Sequence, residues 1–346
     1  MAAELIRQSV EIGIECHLGA FDNAGRGDRQ AIDACRGTAA GWIVPCRRQF
    51  DRAAVVAIAD YVERYAIDVV HSHKYKTTFH ALLARRRRPF KLVATYHNWL
   101  IENRSLALYA AIDKRIARFC DAAVAVSESV FDELARFVPR SKLRRIGNGV
   151  DTSRFSPRDT KAATRSALGL RHRHVAGFVG RLDRRKGVDD LIEAVAALQS
   201  RDIDLLIVGD GDHRATLEQT ALRSGIADRV HFLGTRSDTP ELYGALDLFV
   251  LPSLVEAFPM VVLESMACGV PVIGTDVGDV AKIVERERTG WVVPPADRVA
   301  LGAAISGALR DEERLEAMGR NARRTVTERY SAQHMAQQYA ECYREI

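Results

Sequence analysis

Short apolar segments alternate along the chain with longer segments of helical periodicity. The apolar segments of the first half are IDVVH, KLVATYH and AAVAVS, and those of the second half are HVAGFVGRL, IDLLIVGDG, RVHFLG, LDLFVLPS, PVIGT and GWVVPP. Apolar runs of this length between amphipathic segments are typical of β–α–β units, which build parallel sheets. The pattern therefore predicts an α/β protein with parallel strands.

A turn-rich segment, residues 146–157, separates the two series and predicts a linker. We expect two doubly wound, Rossmann-like domains, 1–155 and 156–330, that face a central cleft. A chain of 346 residues has the length of about two such units. The last helical segment, 331–346, is expected to pack back on the first domain.

The chain begins with AAELIRQSVEIG, which has the pattern of a helix, and the strand-like IECHLG follows it. A doubly wound domain normally opens with a strand and a glycine-rich turn, and that strand lies centrally in the sheet. The sequence therefore predicts a first domain that lacks its first strand, and a natural start roughly 15 to 25 residues upstream of Met1. The segment NAGRGD (23–28) is interpreted as a loop.

Composition excludes several classes of protein. No apolar run approaches the roughly 18 residues of a membrane span, and the first residues have no export signal. The cysteines are far apart and form no C-x-x-C pair that would indicate a zinc site. We therefore expect reduced thiols and a protein located either in the cytoplasm or at the inner face of a membrane. The cysteines are Cys16, Cys35, Cys46, Cys120, Cys268 and Cys342.

Charge is distributed unevenly along the chain. Residues 1–165 contain 28 Lys and Arg against 18 Asp and Glu, and the remaining residues contain 22 against 27. The excess of positive charge suggests that the first domain faces a phosphorylated substrate or an anionic lipid surface, and a solvated basic face is the alternative. The run ARRRRP (84–89) either contacts phospholipid headgroups or is a solvated helix end. No nucleic-acid partner is predicted.

The stretch EAFPMVVLE places two glutamates around an apolar interior. Glu256 is expected in the loop after the strand LDLFVLPS, and Pro259 in the first turn of a helix that runs to about Cys268. Glu264 then lies about one turn inside the helix, with its side chain tilted toward the helix start. Both carboxylates are predicted to face one polyhydroxylated ligand, whose phosphate would suit the helix N-terminus.

The stretch GFVGRLDRRKG predicts a cationic site. A strand is expected to end at Gly180, so that Arg181 follows it directly and Lys186 opens the next helix with Gly187. A guanidinium and an ammonium beside a helix start suit a diphosphate that gains charge as a leaving group. A surface salt bridge is the alternative for a single arginine.

Histidines follow two strands of the first domain. His97 ends KLVATYH and His73 follows IDVVHS, so both are expected to face the cleft, although a structural role is the alternative. His71 and His73 share a strand face, but no carboxylate stands near them in the sequence. We therefore predict no metal site.

Four motifs together resemble the family-4 retaining glycosyltransferases of GT-B fold: NGVD (148–151), GRLDRRKG (180–187), VGDGD (208–212) and EAFPMVVLESMACGVPVI (256–273). The resemblance implies that Arg181 and Lys186 bind the donor diphosphate, and that Glu256 binds the donor sugar. It also places His97 near the transferring sugar and Glu264 at the ribose hydroxyls. The donor-binding residues that it implies are Gly180, Glu264, Phe258, Pro259, Met260, Val261, Gly234, Thr235 and Arg236.

The resemblance implies transfer of a sugar with retention, through an oxocarbenium-like transition state. The donor would be a UDP- or GDP-linked sugar, and the acceptor a bacterial cell-surface glycan or a lipid-linked molecule. Neither a cofactor nor a divalent metal would be required. Ala257 departs from the pattern, because this family often has glycine there.

Two other functions are compatible with the motifs. A sugar-nucleotide epimerase of GT-B fold would use the same donor without an acceptor, and an inactive homologue would only bind it. The stretch with a glutamate at each end favours transfer over epimerisation. The presence of Arg181, Lys186, Glu256 and Glu264 together argues against an inactive homologue.

Overall fold

A computed structural model describes residues 2–23, 29–99, 104–200 and 202–346. The backbone divides into two compact units. The first unit comprises the residues up to Gly149 together with Ala332–Ile346, and the second comprises Val150–Ser331. The division at Val150 falls inside the segment 146–157.

The first unit alternates helices and strands. Its elements are α1 (Ala2–Glu11), β1 (His17–Asn23), α2 (Arg29–Ala34), β2 (Ala40–Cys46), α3 (Arg52–Arg64), β3 (Val69–His73), α4 (Tyr75–Ala84), β4 (Lys91–Tyr96), α5 (Arg104–Ile116), β5 (Ala122–Ala125), α6 (Glu128–Leu134), β6 (Leu143–Arg145) and α15 (Ala332–Glu345).

The strands of the first unit form two parallel sheets rather than one. β1 pairs with β2, and β3, β4, β5 and β6 pair in that order. In the described residues no ladder joins β1 to β3. Two apolar clusters cover the strands: α3 and α4 contribute to one, and α1 and α15 contribute to the other through Leu5, Met335 and Tyr339.

The second unit continues the alternation. Its elements are α7 (Lys161–Ala167), β7 (His174–Val179), α8 (Val188–Ala196), β8 (Ile203–Val208), α9 (Arg214–Arg223), β9 (Val230–Gly234), α10 (Thr239–Gly244), β10 (Leu248–Leu251), α11 (Met260–Ala267), β11 (Val272–Thr275), α12 (Val280–Ile283), β12 (Gly290–Val293), α13 (Arg298–Leu309) and α14 (Glu312–Arg329).

One parallel sheet organises the second unit, with the strand order β12-β11-β10-β7-β8-β9. Its strands β8, β10 and β11 are buried along their whole length, as expected for a sheet covered by helices on both faces. The strand order reverses between β7 and β10. A doubly wound sheet forms its ligand crevice at this reversal, outside the carboxyl ends of the strands.

The structure changes several predicted boundaries. β7 ends at Val179 rather than Gly180, β4 ends at Tyr96 rather than His97, and α8 begins at Val188, after a 3-10 turn. β2 and β6 were not predicted from the sequence. β2 contains Gly41 and Pro45, which usually interrupt a strand, and β6 is only three residues long. The predicted loop NAGRGD lies almost wholly outside the described residues.

Candidate active site

Three polar side chains meet at the carboxyl ends of β7 and β10. Lys186 Nζ lies 2.5 Å from Glu256 Oε1, and Ser253 Oγ donates to the same oxygen at 2.8 Å. The Lys186 and Glu256 side chains are 23% and 11% exposed, so most of this ion pair is withdrawn from water. The group therefore lies at the strand-order reversal where the fold places a ligand.

Gly187 allows the turn that carries Lys186 to approach β10. It has a φ of +61°, and a Cβ atom there would lie 2.2 Å from the carbonyl oxygen of Pro252. Leu254 N donates to Arg185 O at 2.7 Å, which ties the same turn to the loop after β10. The turn begins at Asp183, which accepts from Arg185 N at 3.0 Å. Only glycine permits this close approach, and it brings Lys186 within reach of Glu256.

Arg181 lies near the same strand end but has a different environment. Its side chain is 66% exposed, and its ion pair with Asp212 Oδ2 is long, at 3.7 Å. It follows β7 by one intervening residue, Gly180. The guanidinium is therefore accessible to a ligand without first breaking a strong ion pair.

The start of α11 differs from the prediction by one residue. Pro259 precedes the helix in an extended conformation, with φ −79° and ψ 107°, rather than occupying its first turn. The first helical N–H groups are consequently those of Met260 and Val261, both among the residues predicted to contact the donor. Phe258 is half-buried, and its ring centroid lies 6.3 Å from that of Tyr330.

Glu264 lies inside α11 and has its own partner. Tyr243 Oη donates to Glu264 Oε2 at 2.9 Å, and the tyrosine side chain is fully buried. Burial raises the pKa of Glu264, although the hydrogen bond from Tyr243 and the charge of Arg154 oppose the increase. Glu256 and Glu264 therefore have separate partners, Lys186 and Tyr243.

Gly234, Thr235 and Arg236 follow one another at the carboxyl end of β9. Gly234 has a φ of +67°, and its carbonyl oxygen accepts from Gly209 N at 2.8 Å, which joins the ends of β8 and β9. Arg236 binds Asp238 with both a 2.8 Å and a 2.5 Å hydrogen bond. Its guanidinium is therefore partly engaged within its own loop.

Three histidines lie at the ends of β3 and β4 in the first unit. His73 Nδ1 lies 3.3 Å from His97 Nε2, and the two rings are nearly parallel, with centroids 5.6 Å apart. His71 contacts Tyr343 Oη and Thr95 Oγ1, each at 2.7 Å. His71 thus connects the strand to α15, and His73 is the partner of His97.

Burial keeps these imidazoles neutral. It lowers the pKa of His97 to about 4 and that of His71 to about 3, and like charge on neighbouring groups acts in the same direction. The pKa of His73 also lies well below its usual value, first because of burial and then because of His71 and His97. At neutral pH the pair His73 and His97 therefore shares a hydrogen bond without carrying charge.

Replacing His97 with asparagine is expected to reduce the acid sensitivity of folding. The unfolded chain takes up a proton on His97 below its ordinary pKa of 6.5, whereas the folded chain does so only below about 4. Stability therefore falls as the pH falls through this window, by up to about 2 kcal/mol at about pH 5. Melting temperatures of both proteins across this range test the prediction. Parallel losses in the two proteins would contradict it.

The basic run Arg85–Arg88 is partly neutralised. Arg85 forms an ion pair with Asp121 at 2.9 Å, and Arg88 pairs with Glu63. Arg86 and Arg87 are exposed, and neither of them forms an ion pair with a residue that the structure describes. The run therefore offers two uncompensated charges, not four, to an anionic surface.

Three further observations on the described residues concern metal ions, cysteine thiols and membrane-spanning helices. Its His, Cys, Asp and Glu side chains include no group of three arranged to hold a metal ion. All six cysteines are free thiols, and only Cys16 is more than slightly exposed. None of its helices has the length and apolar character to cross a membrane.

Two residues of the candidate site, Ser253 and Tyr243, were not predicted from the sequence. Ser253 follows β10 closely, and its polar hydroxyl after an apolar strand was an available signal. Tyr243 carried no such signal, because it lies 21 residues from Glu264 in a helix that packs into the core.

Comparison with known proteins covers both units. The family model of Glycosyl transferases group 1 matches residues 161–325, and that of Glycosyltransferase Family 4 matches residues 1–154. The N-acetyl-alpha-D-glucosaminyl L-malate synthase of Bacillus anthracis is 29% identical over 306 residues, which are 86% of this chain and 80% of that protein. An uncharacterized glycosyltransferase of Methanocaldococcus jannaschii is 31% identical over 301 residues, 82% of this chain and 76% of that protein.

The fold of the chain also matches that of a solved structure. A sucrose-phosphate synthase from Thermosynechococcus elongatus superposes with a TM-score of 0.82 at 25% identity. The superposition covers 99% of this chain and 91% of that protein.

Proposed function

Because this chain belongs to the family-4, group-1 glycosyltransferases of GT-B fold, we propose that it is a retaining glycosyltransferase. It transfers a sugar from a UDP- or GDP-linked donor to a glycan or lipid-linked acceptor, in the synthesis of bacterial cell-surface polysaccharide. No metal ion takes part in the step that we propose.

The observation that carries this proposal is the group Lys186, Glu256 and Ser253 at the reversal point of the second sheet. A lysine ammonium has three donors, and Glu256 occupies one of them. The remaining donors are free to bind the diphosphate of the donor. Arg181, two residues beyond the end of β7, supplies the second cation.

In the reaction, the bond between the anomeric carbon and the diphosphate oxygen breaks, and the diphosphate leaves with the bonding electrons. Lys186 and Arg181 stabilise the negative charge that grows on the leaving group, which is the usual action of preorganised cations in an active site. Glu256 binds the hydroxyls of the donor sugar and holds Lys186 in place. The acceptor hydroxyl then attacks from the face that the diphosphate left and gives its proton to the departing diphosphate oxygen, so the anomeric configuration is retained.

Other residues complete the donor site in this proposal. The main-chain N–H groups of Phe258, Met260 and Val261, on either side of Pro259, face the donor sugar and phosphate. Gly180 gives the diphosphate access to the strand end. Gly234, Thr235 and Arg236 lie beside the nucleobase, while His97 hydrogen-bonds the transferring sugar as a neutral imidazole.

Glu264→Gln is expected to weaken donor binding by about tenfold, because an amide oxygen accepts a ribose hydroxyl less strongly than a carboxylate does. Folding should change little, since glutamine can still accept from Tyr243. Calorimetric titration with the nucleoside diphosphate measures the effect. Tyr243→Phe is the control that removes only the supporting hydrogen bond. Unchanged affinity in Glu264→Gln would remove Glu264 from the ribose role.

Incubation with labelled UDP- and GDP-sugars tests the proposed function. A thermal-shift screen first selects the donors that stabilise the protein. Transfer or slow hydrolysis that releases the nucleoside diphosphate supports the proposal. Formation of an epimer of the intact donor would identify an epimerase, and binding without turnover would identify an inactive homologue.

A further inference from the structure

The first unit has its own set of uncompensated cations, beside His73. Arg47 and Arg48 directly follow β2, and Lys74 directly follows β3. All three side chains are exposed, and none forms an ion pair with the residues that the structure describes. Some other exposed arginines of the chain do have a carboxylate within ion-pair distance, as Arg145 has Glu128. We refer to Arg47, Arg48 and Lys74 as the triad of cations.

Local contacts hold the triad of cations together. Gln49 Nε2 donates to Tyr75 Oη, so the residue after Arg48 touches the residue after Lys74. Asp51 N also donates to His80 Nε2 at 3.0 Å, which ties the loop after β2 to α4. The loop and the start of α4 therefore form one surface.

Asp51 does not cancel the charge of this surface. Its carboxylate accepts from Arg47 N at 2.8 Å and from Ala53 N at 3.0 Å, so it caps α3 and does not pair with a guanidinium. Arg48 acts on it through its backbone N–H and through the charge of its guanidinium, without forming an ion pair. Since His73 and His97 are neutral, these histidines add no positive charge beside the triad of cations.

Lys74 has a backbone conformation that favours glycine. Its φ is +72° and its ψ is 154°, and Thr77 and Thr78 hold this conformation by donating to its carbonyl oxygen at 2.8 Å and 3.1 Å. Strain of this kind usually persists where it serves a site. Here it places a lysine, rather than a glycine, immediately beside His73.

We propose that the triad of cations binds a phosphate group of the acceptor. The inference rests on the proposed function only in assigning that phosphate to the acceptor. Guanidinium groups bind phosphate oxygens in pairs of parallel hydrogen bonds, and a lysine ammonium adds a mobile charge. An acceptor held in this way presents its hydroxyl beside His73 and His97. The chemical class of acceptor is therefore a phosphorylated sugar or a lipid-linked sugar phosphate.

The chain offers a matched control for this site. Arg86 and Arg87 are exposed and unpaired in the described structure, like Arg47 and Arg48, but they follow the C-terminal end of α4. A helix of 10 residues is about 15 Å long, which separates them from Lys74 at its start. Arg47→Ala/Arg48→Ala and Arg86→Ala/Arg87→Ala therefore remove the same charge from two different places.

The experiment is calorimetric titration of the full chain with inorganic pyrophosphate at low salt. We expect two independent sites in the wild type, one of which is the donor site at Lys186. Arg47→Ala/Arg48→Ala should lower the affinity of the second site, at the triad of cations, by at least about tenfold, because charge-assisted hydrogen bonds are lost. Lys186→Ala should weaken only the donor site, and Arg86→Ala/Arg87→Ala should leave both intact.

Lys74→Gly separates a binding role from a structural one. Glycine adopts the φ of Lys74 without strain, so this variant should melt at a higher temperature and yet bind pyrophosphate more weakly. Unchanged binding in Lys74→Gly and Arg47→Ala/Arg48→Ala, or an equal loss in Arg86→Ala/Arg87→Ala, would overturn the proposal. If only Lys186→Ala lost affinity for pyrophosphate, the proposal for the triad of cations would also be overturned. The assignment of the donor site to Lys186 would then still stand. Unchanged binding in Lys186→Ala alone would instead count against the proposed function.

Competition distinguishes the two sources of the phosphate. Soluble sn-glycerol 3-phosphate should displace pyrophosphate from the triad of cations if a sugar phosphate is the natural ligand. Displacement only by phosphatidylcholine vesicles that contain phosphatidic acid would indicate a lipid-linked phosphate. Displacement by neither would overturn the assignment to an acceptor phosphate.

Discussion

Replacing Lys186 with alanine is expected to lower turnover of the nucleotide sugar by about 10² to 10³. The loss corresponds to the roughly 3 to 4 kcal/mol that one preorganised donor contributes to a developing anion. Arg181→Ala should lower turnover to a similar extent, because both cations face the leaving diphosphate in our proposal. Steady-state kinetics with the donor found by the thermal-shift screen provide the measurement. Near-normal turnover in both variants would remove the two residues from the diphosphate role.

The two variants should differ in stability. From the sequence alone, neither substitution is expected to affect folding, but the structure pairs Lys186 with Glu256 in a largely buried position. Lys186→Ala leaves that carboxylate without its cation and should lower the free energy of unfolding by up to about 3 kcal/mol. Arg181→Ala should have little effect, since its side chain is exposed.

A double variant separates stability from catalysis at this pair. Lys186→Ala/Glu256→Gln removes the unpaired charge and should recover most of the lost stability, while turnover stays low. Recovery of turnover together with stability would mean that Lys186 acts only by supporting the fold.

Replacing Gly187 with alanine is expected to destabilise the protein by roughly 3 kcal/mol or more and to abolish donor binding. The added Cβ would lie 2.2 Å from Pro252 O, a backbone atom that moves only with β10 and the Glu256 loop. The substitution also imposes a positive φ on a residue with a side chain. Chemical denaturation and calorimetric titration with the nucleoside diphosphate measure the two effects.

Gly225→Ala is the matched control for Gly187. Gly225 has a φ of +70°, but a Cβ atom there meets nothing within 4 Å, so only the backbone penalty of about 1 kcal/mol is expected. The difference between the variants isolates the close approach to Pro252. Equal losses of stability would show that this approach does not constrain the Lys186 turn.

Local patterns were sufficient to predict the second unit from the sequence. Apolar runs such as IDLLIV are buried along their whole length, so they differ clearly from the amphipathic helices between them. Motifs that follow such strands are necessarily near the carboxyl edge of a parallel sheet. The positions of Arg181, Lys186 and Glu256 followed from that rule, although their chemical roles remain proposals.

Pairings between distant residues were not predictable in this way. Lys186 and Glu256 are 70 residues apart, and their contact depends on the close approach that Gly187 permits. The contact of His71 with Tyr343 spans 272 residues and depends on how α15 packs. In the first unit, β2 was missed because its half-exposed pattern includes a glycine and a proline. Tertiary packing, not local preference, determines each of these features.

The anomeric configuration of the first product tests the central claim most directly. The wild-type protein is incubated with a donor selected by the thermal-shift screen and with a phosphorylated acceptor, and proton NMR follows the anomeric signals from the first turnovers. We predict release of the nucleoside diphosphate together with a product whose anomeric configuration matches that of the donor. A product of inverted configuration, or an epimerised donor with its diphosphate still attached, would contradict the account.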